Sequence, residues 1–217
     1  MNNEIKPIET VYKGYRFRSR LEARWAVFFD AAGIEYEYEI EGFEKENGMR
    51  YLPDFYLPDE DMYVEVKPPR KGALQEIRNA ISFVGKQIDT LLILSNIPNN
   101  TSLIWCYPVI CWNAIERNLY TKYCPFLPAY DDDECLYGLY LEREFTEPSY
   151  TSHYVAAMIR NVKDINQEKN LNELLNAKKY IVDDYDYDDA LSEGQIKFIR
   201  EIWDKPRQAR FEHGECG

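Results

Sequence analysis

Histidine is nearly absent from this chain, and cysteine is present without order. Only His153 and His213 occur in 217 residues. Both lie far from the carboxylate-bearing first third and outside any metal-ligand pattern, which argues against histidine-metal hydrolysis. The five cysteines, Cys106, Cys111, Cys124, Cys135 and Cys216, are odd in number and show no Cys-x-x-Cys pair. That excludes a secreted disulfide framework and a zinc ribbon, and the expectation is mostly buried thiols. Metal sets drawn from Cys106, Cys111, Cys124 and Cys135, or from His213 and Cys216, are the alternative. The chain has no Gly-x-x-x-x-Gly-Lys loop and no Gly-x-Ser-x-Gly elbow, so neither ATP hydrolysis nor esterase chemistry has support. No run approaches the ~18 apolar residues of a membrane span, and Met1-Asn2-Asn3-Glu4 opens no signal peptide. A soluble, cytoplasmic protein with no membrane partner is expected.

Positive charge is also in short supply. Lys and Arg number 26 against 38 Asp and Glu, a net charge of -12, which gives no general attraction for a polyanion. Any nucleic-acid contact must therefore be local. Lys13, Arg16, Arg18, Arg20 and Arg24 gather before and within the first predicted helix, and Lys67, Arg70 and Lys71 follow the central motif. The acids Asp183, Asp184, Asp186, Asp188 and Asp189 concentrate elsewhere and read as a surface loop, with mimicry of a phosphate backbone as the alternative.

What the chain does have is concentrated in residues 50–67. Two short aromatic and β-branched runs flank a Pro-and-acid turn at 58–61, which predicts a hairpin. Alternation along the second strand puts Tyr63, Glu65 and Lys67 on one face and Met62, Val64 and Val66 on the other. Pairing with the first strand brings Asp54 toward Glu65, so two carboxylates and an amine meet at a sheet edge. Two nearby carboxylates repel, and a hard divalent cation with oxygen ligands, Mg²⁺ or Mn²⁺, relieves that repulsion. Such a cation acidifies its water and neutralises charge on a phosphoryl oxygen, while Lys67 holds or deprotonates the attacking water or offsets transition-state charge.

Pro53-Asp54 followed by Glu65-Val66-Lys67 resembles the PD-(D/E)XK nuclease motif. The upstream Phe17-Arg18-Ser19-Arg20-Leu21-Glu22-Ala23-Arg24-Trp25-Ala26 resembles the helix that supplies the extra Glu of that superfamily. The likeness is closest to small nuclease-like proteins often carried by bacteriophages, and it covers the first half of the chain. It implies a restriction-endonuclease-like core, DNA as substrate, Asp54 and Glu65 as metal ligands, Lys67 at the water, and Glu22 supporting the metal or Lys67. Beside it stands a second reading, a nuclease-fold protein that only binds nucleic acid or a protein partner, such as a counter-defence factor. A homodimer, or a protein partner contacted through the C-terminal half, is compatible with either.

Taken in order, residues 12–17 alternate basic and aromatic groups around Gly14 and suit either nucleic acid or a strand packed on the core. A helix is predicted over 19–32, capped by Ser19 and stopped by Gly33. Ser19-x-x-Glu22 is also a capping box, so Glu22 has a structural reading beside the catalytic one. Residues 34–43 read as a strand with solvated glutamates, and 72–84 as an amphipathic helix with Gln75 able to face the site. The runs 90–95 and 102–112 read as buried strands, completing a mixed α/β (α+β) sheet of about four to five strands flanked by helices. The predicted organisation is a nuclease-like core over 1–115 and a mainly helical accessory region over 116–217. In that region 120–128 reads as loop, 135–145 as strand or hairpin, and 154–162, 171–181 and 195–203 as helix. Pro206 is expected to kink or stop the last of these, beside a basic end formed by Arg200, Lys205, Arg207 and Arg210 that is solvated or touches nucleic acid.

Overall fold

Two residues with positive φ, Lys13 (46°) and Gly14 (84°), open the fold by turning β1 (Thr10–Tyr12) back onto β2 (Tyr15–Phe17). This is the conformation of a tight type I′ hairpin. Tyr12 and Phe17 enter the core while Lys13, Tyr15 and Arg16 stay exposed, so two of the three aromatics of this segment pack in the core. The computed structural model that shows this describes residues 7–70, 72–98, 103–115, 117–129, 138–141, 160–161, 178–181 and 193–211.

Helix α1 (Arg20–Ala32) follows as its caps predict. Ser19 accepts from the Glu22 N–H, and Gly33 ends the helix at φ 72°, a conformation that costs glycine little. Its apolar stripe, with Trp25, Phe28 and Phe29, lies on one face of a sheet. The predicted strand over 34–43 appears only as two short pieces, β3 (Glu37–Tyr38) and β4 (Phe43–Glu44), the latter paired with β5 (Arg50–Tyr51). Glu39 interrupts the run with φ 50°.

The central hairpin is β6 (Phe55–Leu57) against β7 (Met62–Val66), in the register Leu57↔Met62, Phe55↔Val64. From β7 the chain crosses through α2 (Ala73–Ile81) to β8 (Thr90–Leu94), which pairs parallel with β7. β9 (Leu103–Asn113) then returns antiparallel to β8. Alternation sorts the two faces. Val64, Val66, Leu92 and Leu94 pack toward α1, while Leu91, Ile93 and Ile110 pack with Ile77, Ile81 and Phe83 on the α2 side.

These strands, ordered β3-β6-β7-β8-β9, make the expected five-stranded mixed sheet, and the fold is mixed α+β. The sheet does not end there. β10 (Asn118–Ala129) pairs along β9, β11 (Gly138–Leu141) pairs with β10, and β12 (Arg160–Asn161) and β13 (Lys178–Ile181) add to β10 and β9. Residues 120–128 are thus strand and not loop. Two prolines are accommodated in the ladder, with Pro125 opposite Cys106 and Pro128 opposite Leu139. The described ends of the two helices expected over 154–162 and 171–181 are likewise strand, because pairing with the sheet overrides local helical pattern. Their other residues, the 183–189 acidic stretch, His153, His213, Cys135 and Cys216 lie outside the described residues.

The last element is α3 (Glu193–Gln208), which contains Pro206 in its final turn without stopping there. Its missing N–H removes one intrahelical bond only, and Ala209 N–H still reaches Lys205 O at 3.0 Å. α3 packs on α1: the Trp203 ring lies 4.1 Å from Phe28, centroid to centroid, and edge-on to Trp25. Among the described residues no helix is long and apolar enough to cross a membrane. Cys111 is a buried thiol.

Candidate active site

The open end of the β6–β7 hairpin brings the motif together. Asp54 immediately precedes β6; its N–H donates to Val64 O (3.0 Å) and its Oδ2 accepts the Val66 N–H (2.7 Å). Those two bonds clamp Asp54 across the strand that carries Glu65. Lys67, one residue beyond β7, is held by its own N–H on Leu94 O at 2.8 Å. Its ammonium lies 2.7 Å from Glu65 Oε1, 3.9 Å from Asp54 Oδ2 and 3.8 Å from Glu76 Oε2. Asp54 is 1% exposed and Glu65 4%, whereas the Lys67 side chain keeps 18%. The three residues of the motif therefore converge, as the alternation predicts.

Glu22 lies beside this group but is engaged by the helix start. Its Oε1 accepts from the Ser19 hydroxyl (2.7 Å), and its Oε2 accepts from the Tyr38 hydroxyl (2.7 Å) and the Arg18 N–H (3.1 Å). This is the capping arrangement with the carboxylate reaching one residue further back than usual. Among the described residues no three His, Cys, Asp or Glu side chains are grouped so as to hold a metal ion. Glu22 is not brought into one ligand set with Asp54 and Glu65.

Between Glu22 and Asp54 stands Arg18. Its Nη2 donates to Asp54 Oδ1 at 2.6 Å, and its Nε lies 2.5 Å from Glu39 Oε1. The second contact is an ion pair without hydrogen-bond alignment, since Glu39 Oε1 is buried and accepts no aligned donor. Glu39 departs from the solvated face expected for the glutamates of 34–43. It is half-buried at the site with a left-handed backbone, a conformation that costs a non-glycine residue about 1 kcal/mol or more.

Burial sets the charge balance here. It pushes the Asp54 carboxyl well above the ordinary range, the Glu65 charge adds to the rise, and Lys67 and the Val66 N–H oppose it. Burial also raises Glu65, against the pull of Lys67, Tyr51 and Arg18. For Lys67 burial acts downward, but Asp54, Glu65 and Glu76 outweigh it and the amine ends above its usual value. Arg18 follows the same pattern, half-desolvated yet raised by Asp54, Tyr38 and Glu39. The centre is thus a set of carboxylates compensated from inside by one lysine and one arginine.

Several partners have no signal in the local pattern. Tyr51, on the separate β4–β5 ribbon, donates to Glu65 Oε2 at 2.8 Å. Glu76, one residue past the expected Gln75, is the α2 side chain that reaches Lys67 and also pairs with Arg70. Gln75 is exposed and donates to Asn79 instead. A helix turns about 100° per residue, so a shift of one position moves a side chain off the site.

The basic cluster splits. Lys13 pairs with Asp30 at 2.7 Å, Arg16 binds Glu9 through its Nε at 2.9 Å and through Nη2, and Arg18 is committed as above. Arg20 and Arg24, one turn apart on α1, are half-buried with Nε atoms that meet no acceptor among the described residues. As for a cation, the two buried side chains that face Lys67 from the hairpin, Asp54 and Glu65, offer oxygen only. Hard ligands of that kind fit Mg²⁺ or Mn²⁺ and not a soft metal.

Compared with protein-family models, curated proteins and solved structures, the chain matches none.

Proposed function

We propose that the chain is a Mg²⁺- or Mn²⁺-dependent deoxyribonuclease of the PD-(D/E)XK type, with a restriction-endonuclease-like core. One observation carries the reading: two buried carboxylates at the open end of a hairpin share a single lysine ammonium. Packing alone does not call for this arrangement, because replacing such buried charges with apolar residues is often neutral or stabilising. Asp54 and Glu65 would hold the cation, which when bound supplies charge neutralisation at a phosphoryl oxygen and a more acidic water. Lys67, an ammonium among three carboxylates, donates toward the attacking water or the developing oxyanion and does not act as the base. Tyr51 fixes the Glu65 carboxylate, and the Val66 N–H fixes Asp54.

A second reading is favoured by a specific feature. Every carboxylate oxygen of Asp54 and Glu65 already has an internal donor: Arg18, the Val66 N–H, Lys67 or Tyr51. A self-satisfied network of this kind also suits a nuclease-fold protein that binds nucleic acid or a protein partner without cutting. Incubating the purified chain with linear, circular, single-stranded and branched DNA, with Mg²⁺ or Mn²⁺, separates the two. The enzyme reading expects cleavage that Lys67→Ala abolishes while Mn²⁺ and DNA still bind, and an Asp54→Asn variant with weakened Mn²⁺ affinity by calorimetry. No cleavage of any substrate, together with no Mn²⁺ binding, would leave the binding reading standing.

A further inference from the structure

We infer that Arg18 occupies the cation position of this site and yields it to a divalent metal, its freed guanidinium then taking a phosphate oxygen of the DNA. The inference rests on the nuclease reading above and concerns how that site is gated. The geometry makes the two occupants exclusive. Arg18 Nη2 sits 2.6 Å from Asp54 Oδ1, and a Mg²⁺ ion needs to approach a carboxylate oxygen to about 2.0–2.1 Å with a full octahedral shell. A guanidinium hydrogen-bonded to that oxygen lies where the shell must go, and its positive charge opposes the incoming cation. The other Asp54 oxygen is committed to the Val66 N–H at 2.7 Å.

Arg18 is also built to move. Its backbone is fixed, because its N–H is shared between Glu22 Oε2 (3.1 Å) and the Tyr38 oxygen (3.0 Å). Its side chain is 51% exposed, whereas the Asp54 it covers is 1% exposed. A long side chain anchored at its root and half exposed along its length can swing outward without disturbing the cap. Glu39 keeps it close: the ion pair to Nε needs no aligned hydrogen bond and survives a rotation that breaks the Asp54 contact. Released from Asp54, the guanidinium offers its paired donors at the mouth of the site, the geometry that suits a phosphate.

The test is Mn²⁺ calorimetry on the full chain, wild type against Arg18→Gln. The expected result is a gain in Mn²⁺ affinity of about tenfold or more, the reverse of what loss of a binding residue would give. In a Lys67→Ala background, chosen to halt cleavage, saturating Mn²⁺ should tighten DNA binding by a larger factor when Arg18 is present than in Arg18→Gln. Should Arg18→Gln not fold, Arg18→Met keeps the apolar stem and removes the charge, and its Mn²⁺ affinity should exceed that of wild type. Equal or weaker Mn²⁺ affinity in the folded variant would overturn the exchange while leaving the metal site intact. Absence of Mn²⁺ binding in wild type and variant alike would remove both the exchange and the nuclease reading.

Discussion

Glu22 carries three hydrogen bonds at the start of α1 and lies next to the arginine that covers Asp54, so its two duties can be pulled apart by chemistry. A glutamine oxygen can still accept from Tyr38 and Arg18, and its amide can donate to Ser19, so Glu22→Gln should stay within about 1 kcal/mol of wild-type stability. Ser19→Ala, losing the cap itself, should cost about 1 kcal/mol in a denaturant melt and leave cleavage largely intact. A stable Glu22→Gln without cleavage assigns the residue to the chemistry; a stable and fully active one leaves it a cap. The buried pair makes a separate prediction about pH. The carboxyls of Asp54 and Glu65 are raised by burial, so their protonated forms favour the fold. That contribution is complete below the ordinary carboxyl value of about 4 and is lost as pH rises through the raised folded values. Cation-free protein should therefore lose stability across that window, and Mn²⁺, which takes the deprotonated forms, should give a melting-temperature gain that grows with pH. Melts of wild type and of Asp54→Asn/Glu65→Gln over that range check it, and equal slopes would show the pair to be thermodynamically silent. At this scale the sequence was legible where neighbours in the chain are neighbours in space. Asp54, Glu65 and Lys67 follow from a hairpin and a period of two. Tyr51, Glu39 and Glu76 reach the site from a separate ribbon, a strained bend and a helix on the opposite face, which no local pattern encodes.

Helix α1 packs on the sheet that carries the site, and α1 in turn leans on α3. Trp203 is 1% exposed and lies against both Phe28 and Trp25. Trp203→Ala should cost about 3–5 kcal/mol in urea unfolding, since it removes a large buried ring whose pocket cannot fully collapse. A loss below about 1 kcal/mol would mean that α3 does not support α1. Both helices were readable from the sequence because their signals are local: a serine cap, a glycine stop and an apolar stripe in α1, and an apolar face in α3. The strands beyond residue 116 were hidden for a related reason. β10 carries Pro125 and Pro128, which locally read as breakers, and β12 and β13 exist by virtue of partners 39 or more residues away. Strand identity there comes from the ladder, so a segment with helical periodicity ends up paired in a sheet.

Across the whole molecule the proposed function raises the question of how a chain of net charge -12 would hold a polyanion. Internal pairing decides which cations are free to do so. Lys13 is matched by Asp30, Arg16 by Glu9, and Arg18 by Asp54 and Glu39, so each must leave its carboxylate before meeting a phosphate. Arg20 and Arg24 are different. Their Nε groups are buried without an acceptor among the described residues, at a cost of about 1–3 kcal/mol for each unsatisfied donor. Neither side chain is tied to a carboxylate among the described residues, so two phosphates laid along the first turns of α1 would meet these guanidinium groups without breaking an ion pair. Replacing both by Gln should lower the slope of log affinity against log salt by about two, roughly 0.9 for each phosphate that is no longer neutralised. The same change at Lys13 and Arg16 should move it by less than one. Fold stability gives an independent readout: Arg20→Met/Arg24→Met should be neutral or stabilising in a denaturant melt, because it removes orphaned donors and keeps the apolar stems. Fluorescence anisotropy on a short duplex at several salt concentrations measures the slopes. A larger drop from the Lys13 and Arg16 pair than from the Arg20 and Arg24 pair would put the DNA on the hairpin side and leave the α1 arginines as structural cations.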